Sequence, residues 1–399
     1  TKTKPLRERL AFAHPVRADD APLRIGMLSA GFGSHPTALL LVATLEALRD
    51  QGVELHAFAT TQDDGSPWRA RIATATTLHD VSTLNDADAA RAIHAAQCDV
   101  LLDIDGWCEG GRPGVLALRP APLQVSYLAY PGSTGAPWID YVIADRFVLP
   151  DALRPDFSEC VAYLPRCYQP SDPTRQILGA PPRAAFGLPK DTVVFASFNH
   201  SWKLNAASFA RMCTVLRGVP GSVLWLLDAG REPDTHLRAA AHAHGIDSRR
   251  LIFSPKLPHT QHIARYCLAD LFLDTDPYNA HTTASDALWA GCPVLTCPGE
   301  TFASRVAGSL NHHLHLPECN ARDDNDFVAT AIRLGLDRPV LAAVRERLAQ
   351  RRRDSGLFDM QAYPRDFAAL LREMVERQRR NMTPMDFALA QTGPMDESP

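Results

Sequence analysis

The chain has 399 residues, 46% of them hydrophobic and 22% charged, with a formal net charge of −4. That is enough chain for two domains with sizeable cores, and no window approaches a membrane span, so the expectation is a soluble globular protein without a membrane partner. The slightly acidic total gives no global attraction to nucleic acid, so none is expected as a partner, and any anionic ligand has to be met by a local cluster.

In chain order, residues 1–23 read as a charged connector. Strands are expected over 24–30, 53–60, 99–105, 123–130 and 141–144, with helices over 37–50 and 86–97. A proline-rich stretch follows at 165–189, with PSDP, GAPPR and GLPKD. Its prolines withhold donors from any ladder, so 171–189 reads as a linker. The alternation then restarts with strands over 193–198, 223–228, 251–254, 270–274 and 294–297. Helices fit 205–217, a segment ending at Gly245, 284–290, 340–353 and 366–379. The polar tail ending MDESP is expected to be disordered. Strands alternating with helices predict an α/β fold with parallel sheets. The reading is two doubly wound, Rossmann-like domains facing a cleft, over 24–170 and 190–360, then a C-terminal helix over 361–380 and a tail over 381–399.

Nine cysteines, at 98, 108, 160, 167, 213, 267, 292, 297 and 319, form no CxxC pair and are odd in number. They read as reduced thiols of a cytoplasmic protein. No charged segment followed by an apolar one opens the chain, so no secretory signal is expected. The first residue is Thr1 rather than Met, which leaves room for residues upstream.

The richest stretch chemically is PYNAHTTASDALWAGCPVLTCPGETFASRVAGS, 277–309. His281, Thr282 and Thr283 lie between a buried strand and a helix, where free N–H groups and the positive end of the helix dipole face an anion. Asp286, one turn further on, is suited to accept hydrogen bonds from ribose hydroxyls. Thr282 as an N-cap and Asp286 as a complement to the helix dipole stay open as alternatives.

Ligands of open α/β sheets gather at the carboxyl ends of the strands, and three more elements fall there. GFGSHPT, 31–37, holds two glycines and not the three of a dinucleotide fingerprint, with His35 as either a general base or a structural hydrogen-bonder. NHSWK, 199–203, offers His200 and a lysine, Lys203, able to set its ammonium against a phosphate. SPKLPHTQH, 254–262, offers backbone groups to a base edge, with His259 and His262 beside them. The DxD pairs Asp103/Asp105 and Asp274/Asp276 have the pattern of a divalent-ion site, but Lys203 and a helix N-terminus can neutralise a diphosphate without metal, so no metal is expected.

HPT, LRPAPLQVSYLAYPGSTGA, FNHSWK, SVLWLL, RLIFSP, HTTASDALWAGCPV and PGETFASRVAGS occur in this order over about 24–379. Together they resemble the catalytic region of the O-GlcNAc transferase and SPINDLY-like glycosyltransferases, of a bacterial type. The resemblance implies the glycosyltransferase B architecture and inverting transfer of GlcNAc from UDP-GlcNAc to Ser/Thr hydroxyls of polypeptides, with UDP as product and no cofactor or metal. Lys203 would contact the diphosphate, and His281, Thr282 and Thr283 would hold the phosphates and nucleoside. Asp286 would bind the ribose and His262 would lie against the uracil, with His200, Leu257 and His259 completing the donor set. His35 would be the proposed base, with Tyr130, Pro131 and Gly132 on the acceptor side. Eukaryotic members carry glutamine where His200 stands, lysine where His259 stands, and a long insertion between the halves. Tetratricopeptide repeats precede the catalytic region in the family; none is found here, so they would lie upstream of Thr1. Transfer from GDP-fucose, N-linked transfer of glucose, and a catalytically silent sugar-nucleotide scaffold are the alternatives.

Overall fold

In the computed structural model, residues 10–15, 17–18 and 20–390 are described. The chain divides into two compact units, Thr1–Asp172 with Asp359–Pro399, and Pro173–Phe358.

The first unit holds strands β1 (Leu23–Ser29), β2 (Val53–Ala59), β3 (Thr77–Asp80), β4 (Val100–Asp103), β5 (Gln124–Ser126), β6 (Tyr141–Ala144) and β7 (Cys160–Tyr163). Its helices are α1 (Pro36–Leu48), α2 (Pro67–Ala75), α3 (Asp86–Ala95) and the short α4 (Pro113–Leu116). The second unit holds β8 (Val194–Ser197), β9 (Val223–Leu227), β10 (Leu251–Ser254), β11 (Leu271–Leu273) and β12 (Val294–Leu295). Between and after these run α5 (Ala206–Gly218), α6 (Arg231–Ala243), α7 (His259–Arg265), α8 (Thr282–Trp289), α9 (Val306–His313), α10 (Asp324–Leu336) and α11 (Arg338–Asp354). The chain then returns to the first unit with α12 (Ala362–Arg379) and β13 (Phe387–Ala388).

The strands are short apolar runs, such as VLLD in β4 and YVIA in β6, in which every residue is buried. That is the pattern of strands covered on both faces, and all pairings are parallel. The first sheet has the order β13-β7-β6-β5-β4-β1-β2-β3 and the second β10-β9-β8-β11-β12. In the first, β1 feeds β2 and β3 on one side while β4 starts the other; in the second, β8 and β11 do the same. At such a reversal neighbouring crossovers run to opposite faces, and the loops leaving the two central strands part to leave a crevice. The β1 and β4 loops, and the β8 and β11 loops, are therefore where this topology puts a ligand.

Several boundaries differ from the sequence reading. The connector 1–23 is not free from residue 10 on: Leu10 and Phe12 pack against the first unit's core, and Arg17 donates to Asp99 at 2.7 Å. Residues 1–9, 16 and 19 lie outside the described residues. The strand expected over 123–130 ends at Ser126, because Leu128 turns at φ 86° and takes the chain out of the sheet. The tail expected from 381 contributes β13, whose Phe387 and Ala388 pair with Ala162 and Tyr163; the MDESP end lies outside the described residues. Helix α12 belongs to the first unit although it follows the second in sequence. Among the described residues no helix is long and apolar enough to cross a membrane, and all nine cysteines are free thiols.

Gly106 follows β4 at φ 54°, and a Cβ there would lie 2.5 Å from the Tyr130 Cβ. Gly106→Ala therefore combines backbone strain with a clash, and should destabilise the chain by about 2–3 kcal/mol in urea unfolding. A midpoint equal to the parent's would show that the Tyr130 loop yields without cost.

Candidate active site

In the second unit, β11 ends at Leu273 and the chain turns through Asp274 to His281 before α8 begins. The buried Asp274 carboxylate accepts from Thr275 N at 2.8 Å, Ala280 N at 2.7 Å, Thr296 Oγ1 at 2.8 Å and Asn199 Nδ2 at 3.1 Å. These donors come from behind β8, β11 and β12, so one carboxylate gathers three strand ends. Burial raises its pKa, opposed by the Ala280, Thr296 and Thr275 hydrogen bonds and by Lys203.

Lys203 arrives from the β8 loop. Its Nζ donates to Asn279 O at 2.7 Å and sits 4.0 Å from the centre of the Tyr278 ring, within cation–π range. Burial lowers its pKa, with the Asp274 carboxylate opposing. His281 stacks on Tyr278 at 4.9 Å and donates Nε2–H to Ala303 O at 3.2 Å. Burial and the Lys203 charge hold it well below the usual histidine pKa, so the ring is neutral. Its side chain does not cap α8, so the first-turn amides of Thr282, Thr283 and Ala284 keep their donors for an incoming group. An ammonium beside an uncapped helix N-terminus makes an anion site. His200, on the same loop as Lys203, is exposed, with its pKa lowered by residual burial and by the Lys256 and Lys203 charges.

The segment 254–262, which runs on from β10, becomes helix from His259, so His259 and His262 share one face of α7 at i and i+3. Leu257, half-buried, lies in the turn before it. His259 Nε2 lies 3.2 Å and 3.3 Å from the two Asp286 oxygens, and Arg175 Nη1 donates to Asp286 Oδ1 at 2.5 Å. Asp286, expected to meet ribose, is thus also the partner of a buried guanidinium. Burial works to raise its pKa, yet the His259 hydrogen bond and the Arg175 charge bring it below the usual carboxylate value. Arg265, one turn beyond His262, lies against its Nδ1 and over Phe198, with the guanidinium carbon 4.1 Å from the ring centre. Burial first, then the Arg265 charge, take His262 down to about 3.

In the first unit, His35 is the N-cap of α1: its Nδ1 accepts from Thr37 N at 3.2 Å, with Pro36 at the first helical position. Gly31 permits this turn, since a Cβ there would lie 2.7 Å from His35 Nδ1. Burial lowers the pKa of the ring, with Asp105 opposing. A neutral imidazole accepting at Nδ1 carries its proton on Nε2, so it presents a donor and not a proton acceptor. This differs from the general-base role. Tyr130, Pro131 and Gly132 follow β5, half-buried, with Tyr130 packed over Gly106. Behind them Glu159 binds Thr134 N at 2.6 Å and Ser133 Oγ at 2.7 Å, and fixes this loop.

Three of the four DxD carboxylates accept hydrogen bonds within the fold. Asp105 accepts from Ser29 Oγ and Ala30 N, Asp103 from Gly106 N, and Asp274 as described. Four groups around these sites escaped the sequence reading: Arg175, Arg265, Asn199 and Tyr278. The i, i+3 spacing of His262 and Arg265 was a usable signal once α7 was recognised as helix. Arg175 carried none, because its partner is 111 positions away.

An anion at the α8 N-terminus should restore the Lys203 proton. On the alkaline side, at pH values below the ordinary lysine range, pyrophosphate binding should take up protons and weaken as pH rises; calorimetry in buffers of different ionisation heat reads both. Binding that is independent of pH there, or unchanged in Lys203→Met, would contradict this geometry.

The model of glycosyl transferase family 41 matches residues 4–178 and 170–367. A probable UDP-N-acetylglucosamine–peptide N-acetylglucosaminyltransferase SEC of Arabidopsis thaliana is 36% identical over 345 residues, 84% of this chain and 35% of that protein. A UDP-N-acetylglucosamine–peptide N-acetylglucosaminyltransferase of Caenorhabditis elegans is 28% identical over 91% of this chain and 41% of its own length. The chain therefore spans well under half the length of these two relatives. Among solved structures, a mutant of the Thermobaculum terrenum O-GlcNAc transferase superposes with a TM-score of 0.86 at 27% identity, over 92% of this chain and 71% of that one. With two Rossmann-like units in the glycosyltransferase B architecture and a family match along most of its length, the chain belongs to glycosyl transferase family 41.

Proposed function

We propose that this chain transfers GlcNAc from UDP-GlcNAc to Ser or Thr hydroxyls of polypeptides, with inversion and without a metal ion. The observation that carries the reading is Lys203 beside the uncapped N-terminus of α8, an anion site on the loops at the strand-order reversal. It is supported by the names of the two relatives, which state that donor and a peptide acceptor.

The chemistry follows from charge. As the bond from C1 to the diphosphate breaks, negative charge grows on the leaving oxygen. Lys203 and the Thr282, Thr283 and Ala284 amides meet that charge where it develops, so they lower the barrier more than they tighten ground-state binding. The nucleoside side falls to Asp286, His259, His262, Leu257 and His200. In a single in-line displacement the acceptor hydroxyl attacks the opposite face of C1, which inverts it. His35, neutral and protonated on Nε2, orients an acceptor-side oxygen, with Tyr130, Pro131 and Gly132 beside the peptide; the hydroxyl proton leaves through solvent.

Purified chain incubated with UDP-GlcNAc and a peptide library should release UDP and yield β-linked GlcNAc-peptide, and EDTA should not abolish it. Lys203→Met should lose about 2–4 kcal/mol of transition-state stabilisation, seen as a fall in kcat/KM of about 30–1000-fold. Sugar transfer from GDP-fucose in place of UDP-GlcNAc, or loss on chelation with recovery on adding Mn, would sink the reading. His35→Phe should depress transfer far more than UDP affinity; an equal fall in both would move His35 to the donor.

A further inference from the structure

Arg175 lies two residues beyond Pro173, where the chain enters the second unit, in a stretch that is neither helix nor strand. Its side chain is nonetheless 1% exposed and that of Asp286 4%. One guanidinium nitrogen donates to Asp286 Oδ1 and the other to Ser285 Oγ at 3.1 Å. The Arg175 carbonyl accepts Trp289 Nε1–H at 2.9 Å, and the guanidinium carbon is 5.9 Å from the Trp289 ring centre and 6.0 Å from that of Phe358. The entering segment is thus fastened along α8 from Ser285 to Trp289.

A carboxylate offers about four lone-pair sites, and Arg175 takes one on Oδ1. With His259 facing both oxygens, lone pairs of Asp286 are left over for neutral hydroxyl donors. A buried carboxylate without a cation would take up a proton, and would then offer a hydroxyl a weaker acceptor.

We propose that Arg175 is the positioning residue for ribose recognition: it keeps Asp286 ionised and fixed in orientation, so that the strength of the donor's 2′- and 3′-hydroxyl contacts is set from the segment by which the chain enters the second unit. The inference rests on the reading of Asp286 as the ribose-binding residue of a UDP-sugar site. The groups facing Asp286 are Arg175 from the entering segment, His259 and His262 from α7, and Tyr266 just beyond it. Of these, only Arg175 differs between the parent and the variants below. The Asp286 pKa is depressed by the His259 hydrogen bond first and the Arg175 charge next, and the charge of that pair is supplied by Arg175, whose guanidinium donates to Oδ1.

The test compares UDP with 2′,3′-dideoxy-UDP by calorimetry between pH 5.5 and 8, for the parent, Arg175→Met and Arg175→Lys. The parent should bind UDP more tightly than the dideoxy analogue, with a preference little changed over this range. In Arg175→Met that preference should shrink at least fivefold at pH 7. It should shrink further as pH falls, because a carboxyl whose pKa has been raised loses its charge on the acid side. Affinity for the dideoxy analogue should change less than about threefold. Arg175→Lys keeps the charge, so it should retain most of the preference and its flat profile; it also carries the test should the Met variant fail to fold. Equal weakening of both ligands by either variant would mean a merely structural role and overturn the inference, as would an unchanged preference. If the parent binds UDP but shows no preference for the hydroxyls, Asp286 is not a ribose group and the inference fails with UDP binding intact. If the parent binds no UDP, the donor-site reading itself falls.

Discussion

The second unit's site depends on one buried carboxylate. Asp274 receives two backbone amides of its own turn, a hydroxyl from behind β12 and an amide from behind β8. Around it the turn closes on itself, with Thr275 Oγ1 donating to Tyr278 O and Asn279 Nδ2 to Thr275 O, both at 2.8 Å. The carbonyl that receives Lys203 and the start of α8 are both products of this turn. Each buried donor left without its acceptor costs about 1–3 kcal/mol, so the four bonds to Asp274 define one conformation against looser alternatives. Asp274 is thus an internal anion that organises these donors, and its charge opposes the effect of burial on Lys203.

The first unit uses the same device. Parallel strands leave unpaired amides where they end, and these must be met by something other than the next strand. Asp105 meets those at the end of β1, taking Ser29 Oγ and Ala30 N, while Asp103 takes Gly106 N. Burial lifts the Asp103 pKa to about 6. Asp105 therefore latches the β4 loop to the end of β1, and Asp103 closes its own turn. The motif and the latch look alike in sequence because both need carboxylates at a strand's carboxyl end.

What was legible follows from burial. Strands covered on both faces are largely apolar, so β1, β4, β6, β8 and β9 announced themselves, with ends displaced by at most two residues. Elements with a polar face did not: β3 is TLHD at a sheet edge, and β13 is two residues whose partners lie some 225 positions earlier. Helix α7 was hidden because PHTQH begins with proline and histidines, which read equally as a turn. Among the candidate-site residues, Lys203, His281, Thr282 and Thr283 were visible because a lysine or hydroxyls at a strand-to-helix turn have a local reason to be there. Arg175 and the cage around Asp274 have none, since their reasons are hydrogen bonds formed across the fold.

Charge around the sites follows a common rule. His35, His200, His262 and His281 all have pKa values below the ordinary histidine value, and in each the largest cause is burial. For His200 and His281 the Lys203 charge adds to it; for His262 the nearby guanidinium of Arg265 does. Burial disfavours the charged imidazole in each case, and a like charge nearby adds to it at His200, His262 and His281. A neutral imidazole is both donor and acceptor, whereas an imidazolium only donates. His281 spends its donor on Ala303 O, and His35 spends its acceptor on Thr37 N. The remaining nitrogen of each ring is therefore fixed in type, an acceptor at His281 and a donor at His35. At the start of α8 positive charge comes from Lys203 and the first-turn amides, and the neutral histidines supply hydrogen-bond direction without adding charge.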